Sequence, residues 1–259
     1  MPFTFAHPAA VLPLRRFRFL LTLPLAIGSL VPDVPYYLPV RLGRLLSDTH
    51  SIWGSFVIGL PLGMTLLVGI LLLREPLTVL MGPRLRAICL RSVEHFTERP
   101  QHWPIALLSL LLGSWTHIAW DSFTHPDGWT TLRVAALQAP VTLFGWQTEV
   151  NHLLQYVSSV FGLAVMAVWL RGMLAREPEV AVGEMLREGA RHLLLTLASA
   201  AGLLIGVARA LALWDGLSYY HLCYLLLTRT IGWFAGLYLV TGLLITLTRR
   251  PQPEPAGFR

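Results

Sequence analysis

The chain has 259 residues, of which 54% are hydrophobic and only 13% charged, with a mean hydropathy of +0.59; soluble domains carry about a quarter charged residues, so an ordinary soluble globule and a disordered chain are both excluded. The formal net charge is +6, and all 20 basic residues are Arg, which excludes lysine chemistry such as a Schiff base or a phosphate-loop lysine. Cys89 and Cys223 lie far apart and in no paired pattern, so neither a disulfide framework nor a thiolate metal site is indicated.

A membrane-spanning helix needs about 20 mostly apolar residues. In chain order the candidates are Phe17–Val31, Ile52–Leu73, Ile105–Trp120, Leu153–Leu170, Leu193–Trp214 and Tyr224–Leu247. The expected fold class is therefore an all-α polytopic membrane helix bundle with five or six spans. Residues 1–259 read as a single helical domain, with residues 1–170 carrying the polar motifs and residues 171–259 supplying two further spans and a short tail. There is no internal repeat and no soluble domain between spans. The start resembles a signal peptide, with Arg residues, an apolar stretch and Ala26-Ile27-Gly28. The expectation is retention as an anchor, because five more apolar segments follow.

Arginine alternates between loops. Arg15, Arg16 and Arg18 precede the first segment. Arg74, Arg84, Arg86, Arg91 and Arg99 lie between the second and third. Arg171, Arg176, Arg187 and Arg191 lie between the fourth and fifth, and Arg249, Arg250 and Arg259 follow the sixth. The opposite loops hold only Arg41, Arg44 and Arg133. The positive-inside rule makes the Arg-rich side cytoplasmic. Arg placed between apolar runs marks topology, so no nucleic-acid partner is expected. Pro83–Arg99 mixes Leu85, Ile88, Cys89 and Val93 with charges, which suits a connector helix lying at the cytoplasmic interface.

Several ionisable residues fall on the other side. Charge at membrane depth is costly, so such residues usually face a polar cavity and mark a site. Asp33 follows the first segment, His50 precedes the second, and His117 and Asp121 end the third. Glu149, Asn151 and His152 open the fourth, and His221 precedes the sixth. The strongest local pattern is His117-x-x-x-Asp121. Residues four apart share a helix face, and an imidazole nitrogen and a carboxylate oxygen placed so can chelate one metal ion. A buried hydrogen-bonded His–Asp pair would show the same spacing. His125 is four residues further, although Pro126 predicts that the helix stops there. With Asp33 and His50 added, two His and two Asp suit zinc or another divalent ion. Pro32-Asp33 is also ordinary turn chemistry, and Asp48-Thr49-His50-Ser51 is equally an N-cap for the next helix. His95, His102 and His192 fall in Arg-rich loops and read as solvated surface residues; His221 is left open.

Met1-Pro2-Phe3-Thr4-Phe5-Ala6-His7-Pro8-Ala9-Ala10, Pro32-Asp33, Thr49-His50-Ser51, Ser114–Asp121 and Gln155-Tyr156-Val157-Ser158-Ser159 resemble an uncharacterised bacterial membrane family, domain of unknown function 4184. The resemblance covers residue 1 to about residue 170. The order of motifs also resembles the membrane-bound metal-dependent hydrolases of the inner membrane and, more distantly through the HxxxD pattern alone, the zinc phospholipase C and P1-type nuclease group. These resemblances imply a metal-dependent hydrolase with His7, Asp33, His50, His117 and Asp121 as metal ligands. His7 can reach the outer-side residues only if the first thirty residues fold back. Ala9–Leu14 then forms a re-entrant helix, the chain turns near Arg15–Arg18, and it returns as the first segment.

The expected function is hydrolysis of a phosphoester or lipid-linked substrate through a bound divalent metal, zinc first, and an activated water. Asp121 would bridge ions or orient the water, with His125 and Asp48 as supporting catalytic candidates. Membrane lipids are the expected partners, with the site on the non-cytoplasmic side of the bacterial inner membrane. Trp115, Trp120, Trp129 and Trp146 are expected at its interfacial rim. Two other classes fit the same residues. One is a transporter or ion-permeation protein using the His/Asp cluster as a relay. The other is a non-catalytic scaffold whose polar pairs lock helices together.

Overall fold

The computed structural model describes residues 3–38, 48–178, 186–214, 216 and 219–248, and also the backbone but not the side chains of Trp146, Tyr219 and Tyr220. Arg41, Arg44, Arg249, Arg250 and Arg259, which entered the charge count of the loops, lie outside the described residues. Among the described residues the chain is essentially all-helical, a membrane helix bundle with one small β-hairpin. It divides into two compact units. One comprises Met1–Gly69 with Ser92–Pro178, and the other Ile70–Arg91 with Glu179–Arg259.

The first unit opens with a tight turn at Thr4–Ala6, a short helix α1 (Pro8–Val11) and a further tight turn at Leu12–Arg16. Helix α2 (Thr22–Leu30) follows and passes through one tighter turn, Val31–Asp33, into α3 (Val34–Tyr37). The expectation of a spanning helix over Phe17–Val31 is corrected here. Nine residues at 1.5 Å each give α2 about 14 Å, half the roughly 30 Å hydrocarbon thickness. Leu21 is extended, and its N–H donates to Ser109 Oγ at 3.1 Å rather than continuing a helix. Helices α1 and α2 pack on each other. Val11, Leu20 and Leu25 form the apolar centre of that contact.

Helix α4 (Ile52–Leu72) begins at Ser51, whose hydroxyl accepts from Gly54 N–H at 2.8 Å. Within the Asp48–Ser51 stretch, Ser51 is thus the N-cap. Over Ser55–Gly59 the helix widens into one π turn, a local distortion that often accompanies function. Trp115 Nε1 donates to Ser55 Oγ there, at 2.9 Å. Helix α5 (Arg74–Thr78) and helix α6 (Pro83–Thr97) lead toward α7 (His102–Thr124). The connector thus forms the expected helix. His102 is not a solvated residue, however. It is buried, and its Nδ1 lies 3.1 Å from the Phe96 carbonyl, closing the turn between α6 and α7. Beyond α7, strands β1 (Pro140–Leu143) and β2 (Trp146–Glu149) pair antiparallel through a two-residue turn at Phe144-Gly145, both with positive φ. Such a turn follows the strand twist. Helix α8 (Val150–Arg176) completes the unit.

In the second unit, α9 (Glu188–Leu213) packs along α10 (Tyr219–Thr248). Gly202 and Gly206 face the backbone of Phe234 and Thr230 so closely that a side chain would not fit, the small-residue packing that brings membrane helices together. Buried Arg86 Nη2 donates to Glu75 at 2.6 Å.

Among the described residues four helices are both long and apolar enough to cross a membrane: Ile52–Leu72, Val150–Arg176, Glu188–Leu213 and His221–Thr248. Helix α7 has the length but spends one face on Ser109, Ser114, His117 and Asp121, all buried.

A candidate metal centre

Three segments of the first unit supply the centre. The Val31–Asp33 turn presents Asp33, the residues before α4 present His50, and α7 presents His117 and Asp121 one helical turn apart. One ligand atom from each of these four residues lies within 4.8 Å of all the others. Asp33 and His117 are fully buried, and Asp121 is nearly so. His50 Nε2 is 3.2 Å from Asp33 Oδ1 and 3.6 Å from Asp121 Oδ2. His117 Nε2 is 3.6 Å from Asp33 Oδ1 and 3.2 Å from Asp121 Oδ2.

The surroundings decide which imidazole nitrogen faces inward. Gly28 on α2 and Gly113 on α7 allow their backbones to touch; a Cβ at Gly28 would run into the Leu110 carbonyl oxygen, and one at Gly113 into that of Leu25. This approach brings the Ser29 carbonyl to His117 Nδ1 at 2.7 Å. A carbonyl only accepts, so Nδ1 carries the proton and Nε2 keeps its lone pair. His50 is fixed in a similar way. Thr49 Oγ1 donates to the Pro32 carbonyl at 2.9 Å, so its oxygen is an acceptor toward His50 Nδ1 at 3.2 Å. Both Nε2 atoms face the two carboxylates, and His50 Nε2 is hydrogen-bonded to Asp33 Oδ1 at 3.2 Å. Asp33 Oδ2 accepts from Thr4 Oγ1 at 2.5 Å, and Thr4 Oγ1 in turn accepts from Tyr37 Oη at 2.7 Å. That chain holds Oδ1 inward. The Tyr36 ring lies beside His50. Burial, with the Asp33 and Asp121 carboxylates adding to it, pushes the Tyr36 phenol up to about 12, so it stays a neutral O–H.

His7 stands beside the four rather than among them. It is 4% exposed, its ring stacks on His117, and its Nε2 is 3.6 Å from Asp121 Oδ1. The N-terminal segment is fastened there by the Gln155–Ser159 motif: Phe3 N–H donates to Ser159 Oγ at 2.8 Å, and Ser158 Oγ accepts from Trp120 Nε1 at 3.1 Å. Helix α7 ends at Thr124, and His125 Nδ1 turns to the Asp121 carbonyl at 3.1 Å, with Asp121 Oδ2 at 3.5 Å. Burial holds its imidazole below the usual histidine value. Asp48 is exposed and contributes its carbonyl, which accepts from Ser51 N–H and Oγ. The structure thus brings together Asp33, His50, His117 and Asp121, sets His7 and His125 against Asp121, and leaves Asp48 outside. Ser29, Thr4, Thr49, Gly28 and Gly113 were not singled out from the sequence. Thr4 and Thr49 lie inside the quoted motifs; a carbonyl such as that of Ser29 carries no sequence signal at all.

Two imidazole nitrogens and two carboxylate oxygens are the donor set of zinc and similar divalent ions. The packing fits a cation. His7 Nε2, His117 Nε2 and both Asp121 oxygens are buried with no hydrogen-bond partner, the 3.2 Å His117–Asp121 contact lacking hydrogen-bond alignment. Leaving a buried polar atom unsatisfied costs about 1–3 kcal/mol. His117 Nε2 and Asp121 Oδ2 face the cluster of four, where a positive ion would relieve them, and His7 Nε2 faces Asp121 Oδ1 beside it.

Fold and site together define a helical membrane protein with a buried His/Asp cluster able to hold a metal ion. The chain belongs to the family described as DUF4184, a domain of unknown function, which matches residues 1–246. No curated protein and no solved structure matches it.

Proposed function

We propose that the protein is a metal-dependent hydrolase acting on a phosphoester, with Asp33, His50, His117 and Asp121 holding a divalent ion, zinc first. The observation that carries this reading is the convergence of one ligand atom each from Asp33, His50, His117 and Asp121, of which His117 Nε2 and the Asp121 oxygens are buried without a hydrogen-bond partner. When bound, such an ion supplies a Lewis acid and a water acidified to a pKa of roughly 7. The chain's own residues do the rest. Ser29 fixes the tautomer of His117, and Thr49 orients the ring of His50. Thr4 and Tyr37 hold Asp33 in its orientation. Asp121 offers Oδ2 to the cluster and leaves Oδ1 facing His7 Nε2, whose unpartnered nitrogen is placed to take a proton from water or return it to a leaving group. His7 is thereby a proton-transfer residue in this reading, and the ligand role implied by family resemblance passes to the other four. The same arrangement on the non-cytoplasmic face of the inner membrane would meet outer-leaflet substrates.

The test is elemental analysis of the purified full chain, paired with hydrolysis of bis(p-nitrophenyl) phosphate. About one zinc or manganese per chain, lost in His117→Ala and Asp121→Ala together with turnover, is expected. Metal-free wild type with unaltered variants would overturn the proposal.

A further inference from the structure

A cleft of about 200 Å³ opens beside the centre, between the N-terminal segment, α7 and α8. His7, Ala10, Trp120, Ser158, Phe161 and Val165 are among its walls. Trp120 Nε1 and Ser158 Oγ satisfy each other at 3.1 Å. The walls therefore present carbon to an occupant, and the unpartnered polar atom is His7 Nε2, buried next to Asp121. Apolar cavities stay dry and take hydrocarbon, and ligand sites pair an apolar wall with a few convergent polar groups. The outer wall belongs to α8, a helix long and apolar enough to cross a membrane, on which Val157, Val160 and Phe161 are exposed. A chain in this cleft would be continuous with hydrocarbon outside and would lie against His7, which stacks on His117 of the centre.

We infer that the cleft binds the single hydrocarbon chain of an amphiphile and delivers its phosphate-bearing end to His7 and Asp121. The inference rests on the hydrolase reading for what happens at the polar end, and it narrows the substrate class to alkyl or isoprenoid phosphoesters.

The test uses the full chain in lipid nanodiscs and a dodecyl phosphate carrying a terminal diazirine. Photolabelling is expected on peptides containing Ala6–Ala10 and Phe161–Val165. It should fall at least ~5-fold with excess unlabelled dodecyl phosphate, as expected for a saturable site, and stay unchanged with the same concentration of inorganic phosphate. Ala10→Trp and Val165→Trp, which fill the cleft, should reduce labelling similarly while keeping wild-type metal content, which also shows that they fold. Labelling spread along lipid-facing helices and not competed would overturn the inference, as would competition by inorganic phosphate alone. The metal content of the same samples separates the two readings. Metal-loaded protein without competed labelling removes the cleft and leaves the hydrolase, whereas competed labelling of a metal-free chain removes the hydrolase and leaves the cleft.

Discussion

His7 and His117 stack ring on ring, with centroids 3.7 Å apart and planes inclined by 16°. One ring presents its nitrogen to the cluster of four and the other to the far oxygen of Asp121. His7→Phe keeps the stack and removes the nitrogen. Metal content should stay at the wild-type level while phosphodiester turnover drops about a hundredfold or more, the usual size of a lost general acid or base. Loss of metal from this variant would instead make His7 a ligand.

The four-residue cluster ties ion binding to folding, because its donors come from separate segments. Chelation should lower the thermal midpoint of the wild type. Zinc at a hundred times its dissociation constant should restore about 2.7 kcal/mol. Asp33→Ala and His117→Ala should show neither response in calorimetry.

Thr49 and Thr4 touch the ligands and not the centre. Thr49→Val removes the acceptor for His50 Nδ1, and Thr4→Val removes the donor to Asp33 Oδ2. Losses of this kind weaken metal affinity about 10–100-fold. Zinc titration should show that weakening with helical content unchanged, and the double variant should be worse than either single one.

Gly113→Ala puts a methyl group against the Leu25 carbonyl. The backbones must part, at about 1–3 kcal/mol for overpacking, and the Ser29 carbonyl moves off His117 Nδ1. Reduced stability and reduced metal affinity should therefore appear together, unlike in Thr49→Val. An unfolding curve and a zinc titration on the same variant check this.

Glu75→Gln provides a control in the second unit. It leaves the buried Arg86 guanidinium without its counter-charge, which should destabilise by about 1–3 kcal/mol. Metal content should not change, since no member of the cluster lies in that unit.

Much of the centre is legible in the sequence because its chemistry sits in side chains with characteristic spacing. His117 and Asp121 announce themselves by the helical period, and Asp33 and His50 by being ionisable where apolar residues prevail. The partners that aim them are harder to read. Ser29 acts through a carbonyl, a group every residue possesses, and Gly28 and Gly113 act through the absence of a side chain. His102 misleads for the opposite reason: its Arg-rich neighbours suggest solvent, but the turn it closes folds it inward. Phe17–Val31 misleads through composition, since its apolar residues serve a short packed helix rather than a crossing. That distinction depends on Leu21 and Ser109 meeting, which local sequence does not encode.

The division of the chain into units bears on how the protein is made. Every candidate donor lies between His7 and His125, and the unit that holds them ends at Pro178. N-terminal units generally fold first as a chain emerges from the ribosome. The centre can therefore assemble and capture its ion while α9 and α10 are still being translated, so a nascent chain stalled after Pro178 already contains everything its chemistry requires.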